Sequence, residues 1–292
     1  MEAMMRMTRR GWMLAASGAA LARPRKVLVA GHPYVYTQHR EDRDINPILD
    51  QIFADMRWAG LDAIELMHTA LRPDGAVERV RELSRRHRLP VLGMSWSGNL
   101  WDRGRHAALL PEITMLIERL GKAGGRTLGL SVGNAGKRKT GAQLDAQAEA
   151  LRSILAAAKD HGVAVNLHNH TYEVADGEHD LKGTLERVPE AQLGPDLNWL
   201  LRAGVDPVDF IRRYGKRIVF MHLRDQKAGG AWPEAMGEGD MDYAAIGRAA
   251  REAGFQGDLA IELAHERGQA LTRPLRESFK MSRAAVRRTM GY

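Results

Sequence analysis

Apolar residues are grouped in short runs that alternate with amphipathic segments from residue 26 to the end of the chain. Eight of the runs are rich in aliphatic residues, as strands are. The predicted strands are Lys26–Ala30, Leu61–Leu66, Pro90–Ser95, Arg126–Val132, Val163–Leu167, Gln192–Leu197, Arg217–His222 and Leu259–Leu263. Strand and helix patterns that alternate in this way are typical of parallel βα units. The pattern therefore predicts an α/β protein.

Between these strands, apolar residues recur at three- and four-residue spacing, which indicates amphipathic helices. The clearest covers Leu144–Ala158 and ends before Gly162, a residue that accepts the left-handed backbone after a helix. Another begins at Asp206, whose carboxylate can cap the helix that Pro207 opens. The other predicted helices include Val77–Arg86, Pro111–Leu120, Leu181–Val188, Tyr243–Ala253 and Arg273–Thr289, of which the last is basic and would close the rim of a barrel.

Two architectures combine parallel strands with intervening helices: a closed barrel and an open, doubly wound sheet. The open sheet usually carries a glycine-rich phosphate loop after its first strand. Here the first strand continues into Gly31-His32-Pro33-Tyr34, which lacks that pattern. Because composition does not change along the chain, the sequence predicts a single (β/α)8 barrel over residues 23–292, close to the usual size of that fold.

Composition narrows the chemistry that the chain can perform. It has no cysteine, so thiolate nucleophiles, zinc-thiolate sites and disulfides are excluded. Histidine, aspartate and glutamate remain as the strong metal ligands. The hydrophobic fraction of 44% and the charged fraction of 27% are ordinary for a globular domain.

The formal net charge of +7 does not by itself indicate nucleic-acid binding. Apart from Lys137-Arg138-Lys139 and the C-terminal helix, basic residues are scattered among acidic ones, whereas a surface that tracks phosphates collects them in one stripe. We therefore expect no nucleic-acid partner. No apolar run approaches the roughly 20 residues that span a bilayer, so no membrane span is expected either. A homo-oligomer is compatible with the sequence.

Residues 1–22 have the pattern of an export signal. Arg9 and Arg10 precede a weakly apolar stretch that ends in the small-residue triplet Ala20-Leu21-Ala22. Paired arginines before such a stretch resemble the twin-arginine signal of bacteria. A frayed amphipathic N-terminal helix is the alternative. We expect export to the periplasm, and a cytoplasmic protein if the signal is absent.

Ionisable residues stand where the predicted strands end, which is the face that carries the chemistry in such barrels. They are Glu65 on the second strand, His168 and His170 after the fifth, Asp196 at the sixth, His222 and Arg224 at the seventh, and Glu262 at the eighth. Any one of them alone has an ordinary structural explanation. Several imidazoles and carboxylates buried together would be costly without a cation. The set therefore predicts one divalent metal ion, and mixed nitrogen and oxygen donors suit Mn, Co, Fe or Zn better than Ca.

The chain resembles the sugar phosphate isomerase/epimerases of the xylose isomerase-like TIM barrel family. The resemblance covers most of residues 26–268 and is strongest in the later half. The motifs that carry it are Asp196-Leu197-Asn198-Trp199, the stretch Arg202–Pro207, the run to His222-Leu223-Arg224-Asp225, Gly237–Asp242 and Gly257–Glu262. In this order and spacing they are specific for the family but not for a substrate.

The resemblance implies one metal ion, held by His168, Asp196, His222 and Glu262. Many relatives have glutamate in a Glu-Asn-His triplet where this chain has His168-Asn169-His170, so we place it in a His-Asn-His subgroup. Because an imidazole replaces a carboxylate in this ligand set, the identity of the metal ion stays open, and Mg is added to the four candidate ions named above.

The expected reaction is proton abstraction beside a carbonyl of a sugar or polyol, through an enediolate. His170 is the predicted base, with Glu173 and Glu65 as alternatives. His32, Trp96, Trp199 and Arg224 are predicted to contact the substrate. Isomerisation or epimerisation is the first expectation. A lyase or dehydratase that eliminates from a keto-sugar, inosose or 3-keto-glycoside would use the same intermediate.

Two other classes stay open at this point. Abasic-site endonucleases share the barrel, although such enzymes are expected to hold three metal ions in a site with more histidines and carboxylates than the four positions found in this chain. A non-catalytic sugar-binding barrel would keep the pocket without the reaction.

Overall fold

The fold was described from a computed structural model, which covers residues 26–266 and 268–292. The predicted export signal, residues 1–22, lies outside the described residues. Within the described residues, no helix is both long and apolar enough to cross a membrane.

Eight parallel strands form one sheet that nearly closes into a barrel. They are β1 (Val29–Gly31), β2 (Ala63–Met67), β3 (Val91–Ser97), β4 (Thr127–Ser131), β5 (Ala164–Leu167), β6 (Gln192–Leu193), β7 (Phe220–Leu223) and β8 (Asp258–Ile261). Sequence neighbours pair from β1 to β6 and from β7 to β8, and β1 pairs with β8. Between β6 and β7 the sheet is joined by two isolated bridges, Leu193 with Ile218 and Asp196 with His222. The predicted fold class, a (β/α)8 barrel, is confirmed.

Helices follow the strands and cover the outside of the barrel. They are α1 (Tyr34–Gln38), α2 (Leu49–Trp58), α3 (Ala76–His87), α4 (His106–Lys122), α5 (Gly141–Asp160), α6 (Thr171–Arg187), α7 (Leu197–Arg202), α8 (Pro207–Tyr214), α9 (Tyr243–Glu252) and α10 (Leu275–Met290). The predicted cap at Asp206 is present, since its carboxylate accepts the backbone N–H of Asp209 at 2.9 Å. Helices α1 and α7 are absent from the sequence prediction because both are short.

Strand β6 is shorter than predicted, and this places a site residue. The predicted strand reached Leu197, but pairing stops at Leu193 and helix α7 begins four residues later. The chain leaves the ladder after Gly194, whose N–H still donates to the carbonyl of Leu167; a Cβ atom there would lie 1.8 Å from Oδ1 of Asn166, so no larger residue fits. Asp196 then caps α7 by accepting the backbone N–H groups of Asn198 and Trp199. Both bonds go to Oδ1 of Asp196, so its other carboxylate oxygen is available to a different partner.

Helix α6 is interrupted, which explains why the sequence predicted only its second part, Leu181–Val188. Asp176, Gly177 and Glu178 all adopt left-handed backbone, with φ of 52°, 66° and 66°. Left-handed geometry is costly for residues other than glycine. Glu178 is held in place by Tyr214, whose hydroxyl donates to its carboxylate at 2.8 Å. The break lets the first turn of α6 lie at the carboxyl-end face of the barrel.

A small apolar cluster forms the floor beneath this face. Ala30, Ala63, Leu92, Phe220 and Ala260 come from five strands and are buried together. Side chains two residues apart on a strand share a face, so this cluster lies directly below the polar residues further along the same strands. The polar residues therefore rest on a water-free layer, which strengthens their electrostatic interactions.

Candidate active site

A cavity of about 250 Å³ opens at the carboxyl ends of the strands. Residues that the sequence predicted for the site contribute much of its lining: His32, Trp96, His168, His170, Trp199, Arg224 and Glu262. Small-molecule sites start at roughly 300 Å³, so the cavity suits a ligand of monosaccharide size. These seven predicted residues thus reach one shared space.

Two imidazoles and a carboxylate form what we call the histidine cluster: His168, His222 and Glu65. Nδ1 of His168 lies 3.0 Å from Nδ1 of His222. On its other side, Nε2 of His222 lies 2.6 Å from Glu65 Oε2. His222 and Glu65 are fully buried, and Glu65 Oε1 has no hydrogen-bond partner among the described residues. Glu65, predicted as an alternative base, lies against His222 and does not line the cavity.

The surroundings of the histidine cluster give its two imidazoles different pKa values. Burial, together with His222 and His170, holds the pKa of His168 well below its usual value, so this ring is neutral. Burial also disfavours a charge on His222, but Glu65, Glu262 and Asp196 outweigh it and raise the pKa of His222 to about 9. A protonated His222 donates one N–H to Glu65 and the other to Nδ1 of neutral His168. The surroundings therefore favour a protonated His222 beside a neutral His168.

The arginine cluster consists of Arg224, Asp196 and Glu262. The guanidinium of Arg224 is 3% exposed, and its NH2 group lies 2.9 Å from Glu262 Oε1 and 3.4 Å from Asp196 Oδ2. Its Nε donates to the backbone carbonyl of Glu262 at 3.0 Å. Rings of Trp199 and Trp232 lie 5.4 Å and 5.3 Å from the guanidinium carbon. Arg224 is therefore rigid, and its charge faces both carboxylates.

The two carboxylates respond differently to this arginine. Burial favours the neutral form of Glu262, yet His32, Arg224 and His222 together hold the pKa of Glu262 below its usual value. Asp196 is further from the guanidinium and fully buried, and burial raises its pKa. The shorter contact thus belongs to the carboxylate that stays ionised most easily.

The four predicted metal ligands therefore divide between two clusters. His168 and His222 face each other, whereas Asp196 and Glu262 face Arg224. Across the described residues, no group of three or more histidines, aspartates and glutamates is drawn around one point. The ligand set stays a prediction, and Arg224, predicted as a substrate contact, also binds two of its members.

His170 and Glu173 lie on the other side of the cavity, at the start of α6. Glu173 is 4% exposed; its Oε2 accepts the backbone N–H of His170 at 2.7 Å and its Oε1 accepts the hydroxyl of Ser131 at 2.6 Å. The hydroxyl of Tyr172 lies 3.0 Å from Nδ1 of His170 and 3.1 Å from Ser131 Oγ. Sequence reasoning missed Ser131 and Tyr172. The position of Ser131 at the end of β4 is the one signal that could have found it.

The other predicted substrate contacts are near the cavity but differ in access. His32 is 3% exposed, and its Nε2 lies 2.8 Å from Ser95 Oγ. Trp96 is also 3% exposed, so its indole belongs mostly to the core. Trp199 is less buried, with its ring 5.8 Å from that of His170. Of these three, Trp199 offers the most ring surface to a ligand.

The fold and this strand-end site define a family, and the comparison with known proteins agrees. The family model described as xylose isomerase-like TIM barrel matches residues 53–285. The chain therefore belongs to the xylose isomerase-like TIM barrel family. The resemblance stated from the sequence motifs is confirmed.

Individual relatives are more distant. The rhizopine catabolism protein MocC of Rhizobium meliloti is 26% identical over 211 residues, which are 67% of this chain and 62% of that protein. The match thus spans less than two thirds of that relative's length. L-ribulose 3-epimerase superposes with a TM-score of 0.74 at 19% identity, covering 91% of this chain and 95% of that one. The 3-keto-D-glucoside 4-epimerase of E. coli has a TM-score of 0.71 at 16% identity, covering 90% and 100%. At these identities the two structures establish the shared fold.

Proposed function

We propose that the protein is an isomerase or epimerase of a ketose, keto-sugar or related polyol, and that it works by moving a proton beside a carbonyl group. One observation carries the proposal: a histidine and a buried arginine line the same cavity on either side of Trp199. The ring of Trp199 lies 5.8 Å from the ring of His170 and 5.4 Å from the guanidinium carbon of Arg224. A proton acceptor and a fixed cation are the two groups that enolisation requires.

His170 is the proposed base. Its side chain is 33% exposed, so it is more accessible to a ligand than the fully buried His222. Glu173 is enclosed by Ser131 and by the backbone of His170, which leaves it a supporting role. Glu65 is enclosed beneath His222. Among the three candidate bases, His170 alone combines a titratable atom with access to the cavity.

Arg224 is proposed to stabilise the negative charge that develops on the carbonyl oxygen. Its guanidinium is already fixed by two carboxylates and flanked by aromatic rings, so it needs no reorganisation during the reaction. The apolar floor around Phe220 excludes water from below, which strengthens this stabilisation. The face of Trp199 offers a stacking surface for the sugar ring.

The residues also fit one divalent metal ion in the chemistry of their donors. Two imidazoles and two carboxylates stand on adjacent strands, and Glu65 binds the far nitrogen of His222, as carboxylates do behind metal-binding histidines. His168, His222, Asp196 and Glu262 would hold the ion. When bound, it would supply Lewis acidity at the substrate oxygens. Two epimerases with this fold, acting on L-ribulose and a 3-keto-D-glucoside, support the choice of substrate class.

Free sugars and keto-sugars are the proposed substrates, rather than sugar phosphates. This choice follows from the export signal proposed for residues 1–22, since a periplasmic enzyme meets few sugar phosphates. It agrees with the cavity, whose lining, among the residues that the structure describes, contains one arginine and no lysine.

The test is incubation of the full chain with free ketoses and 3-keto-glucosides in D₂O, followed by NMR. Incorporation of deuterium at the carbon beside the carbonyl is the expected result. Metal analysis of the same preparation should find about one divalent ion per chain. The His170→Asn variant should lose roughly 10²–10⁴-fold in exchange rate, the usual contribution of a general base.

Three outcomes would change the proposal. No exchange and no turnover with any of these compounds would argue for a sugar-binding barrel without catalysis. Loss of a substituent with formation of an unsaturated product would indicate the lyase that shares the intermediate. Exchange that is unchanged in His170→Asn would remove His170 from the role of base.

A further inference from the structure

A chain of hydrogen bonds leads from a buried carboxylate to the proposed base. Glu173 Oε1 lies 2.6 Å from Ser131 Oγ, which lies 3.1 Å from the hydroxyl of Tyr172, which lies 3.0 Å from Nδ1 of His170. The rings of His170 and Tyr172 are stacked at 5.2 Å. We call these four residues the relay. Its members come from two elements only, the end of β4 and the first turn of α6.

Proton counting gives the relay a direction. An ionised carboxylate only accepts, so Ser131 donates its single proton to Glu173. Ser131 can then meet Tyr172 only as an acceptor, which requires Tyr172 to donate to it. The oxygen of Tyr172 is left to accept, and the group that faces it is Nδ1 of His170. The hydroxyl of Ser97 also reaches this oxygen and can donate to it without changing the direction.

We propose that Ser131 and Tyr172 are positioning residues that favour the His170 tautomer with its proton on Nδ1, so that Nε2 carries the lone pair. Which nitrogen of a histidine carries the proton is set by the hydrogen bond of the other one. The role of Nε2 as the atom that takes the substrate's proton rests on the proposed function. The position of the proton rests on the relay alone.

One contact opposes this direction. The side chain of His170 also faces the backbone N–H of Glu173, in the arrangement of a helix capping box. That N–H would favour a lone pair on Nδ1 and a proton on Nε2. Such a tautomer would have Tyr172 donate to His170, and the oxygens of Ser131 and Tyr172 would then face each other at 3.1 Å without a proton between them. The first arrangement supplies a proton to each of the three side-chain contacts of the relay, and the group it leaves without that acceptor is the backbone N–H of Glu173.

The test is the ¹⁵N NMR spectrum of the histidine rings in the full chain, with any paramagnetic ion exchanged for zinc. The His170 signals are identified by their loss in His170→Gln. In the wild type we expect a protonated Nδ1 and an unprotonated Nε2. The Ser131 and Tyr172 variants are made in a Ser97→Ala background, because the hydroxyl of Ser97 could otherwise accept from Tyr172. In that background Ser131→Ala removes the acceptor of Tyr172 and turns its hydroxyl to His170, so the tautomer should reverse although residue 131 does not touch the ring.

Matched variants separate this role from a merely structural one. Ser131→Thr keeps the hydroxyl and should keep the wild-type tautomer, whereas Tyr172→Phe removes the acceptor and should shift the proton to Nε2. Deuterium exchange should fall in Ser131→Ala by up to about 10⁴-fold, the cost of a wrong tautomer in a catalytic triad, and recover in Ser131→Thr. Circular dichroism confirms that each variant is folded.

The outcomes are distinct from those that test the function. A proton on Nε2 in the wild type, or a tautomer that is the same in Ser131→Ala, would overturn the relay even if the protein is an epimerase. A proton on Nδ1 that reverses in Ser131→Ala supports the relay, even if no sugar is turned over.

Discussion

The histidine cluster and the arginine cluster are at the same end of the barrel and are both buried, yet they hold their charges in different ways. In the histidine cluster, burial of His222 is outweighed by Glu65, Glu262 and Asp196, which raise the pKa of His222 to about 9, so its charge is a proton that can leave. In the arginine cluster the cation is the guanidinium of Arg224, which stays charged at all accessible pH values. The comparison shows that one sequence signal, an ionisable residue at a strand end, produces both an exchangeable and a permanent charge.

The largest effect is expected from Arg224→Gln. Asp196 and Glu262 would be left buried without their cation, which usually costs about 3–5 kcal/mol. The free energy of unfolding, measured in urea, should fall by that amount. The comparison would fail if the loss were under about 1 kcal/mol, because Arg224 would then be a passive part of the wall.

A matched control is available in Arg202→Gln. The guanidinium of Arg202 lies 4.1 Å from the ring centre of Trp232, a ring that Arg224 also contacts, but Arg202 is more exposed and bonds to the backbone oxygen of Gly230. Its replacement should cost less than about 1 kcal/mol, as for other exposed charges.

A smaller effect on stability, but a specific one on metal binding, is expected from Glu65→Gln. The variant keeps the shape of the side chain and removes the charge that orients His222 through Nε2. Loss of such a supporting carboxylate usually weakens metal binding by about 10–100-fold. Calorimetric titration with Mn²⁺ measures the change, and Glu112→Gln, a partly exposed residue paired with Arg72, is the control. Equal affinities in all three proteins would show that Glu65 serves packing alone.

The smallest effect is expected from Gly129→Ala on β4. The added Cβ would lie 3.3 Å from Glu65 Oε1 and 3.6 Å from Cε1 of His222, so the histidine cluster must move by a few tenths of an ångström. We expect a loss of stability on the order of 1 kcal/mol and altered ¹⁵N shifts of His222, with the arginine cluster unchanged. Gly104→Ala, where the Cβ would lie 3.3 Å from Asp102 in an exposed turn, should leave those shifts alone. Unaltered shifts in Gly129→Ala would show that the cluster has room to spare.

The sequence predicted that the residues of the two clusters lie at the carboxyl ends of the strands, but not which side chains they contact. Strand periodicity places Glu65, His222 and Glu262 near one face, because parallel strands end together. Which atoms meet depends on how the barrel closes. The pairing of His222 with Glu65, 157 residues away along the chain, has no local signal.

Two further features were outside the reach of pattern analysis. Ser131 and Tyr172 are ordinary residues in ordinary elements, and a hydroxyl at a strand end resembles any other until its neighbours are known. Helix α7 was missed because six residues are too few for a helical period, and the run of Gln192–Leu197 has the composition of a strand. The capping carboxylate of Asp196 decides the structure there, and the same residue had been assigned by resemblance to a metal.

The gap between β6 and β7 has a consequence for the whole molecule. These strands are joined by two bridges, and the residues of one bridge are Asp196 and His222, a member of each cluster. Separation of this seam would therefore part Asp196 from Arg224 and His168 from His222 in a single motion, so both clusters would be divided. The part of the barrel wall with the fewest strand pairs therefore lies next to both clusters. A ligand that contacts both clusters would also hold β6 and β7 together.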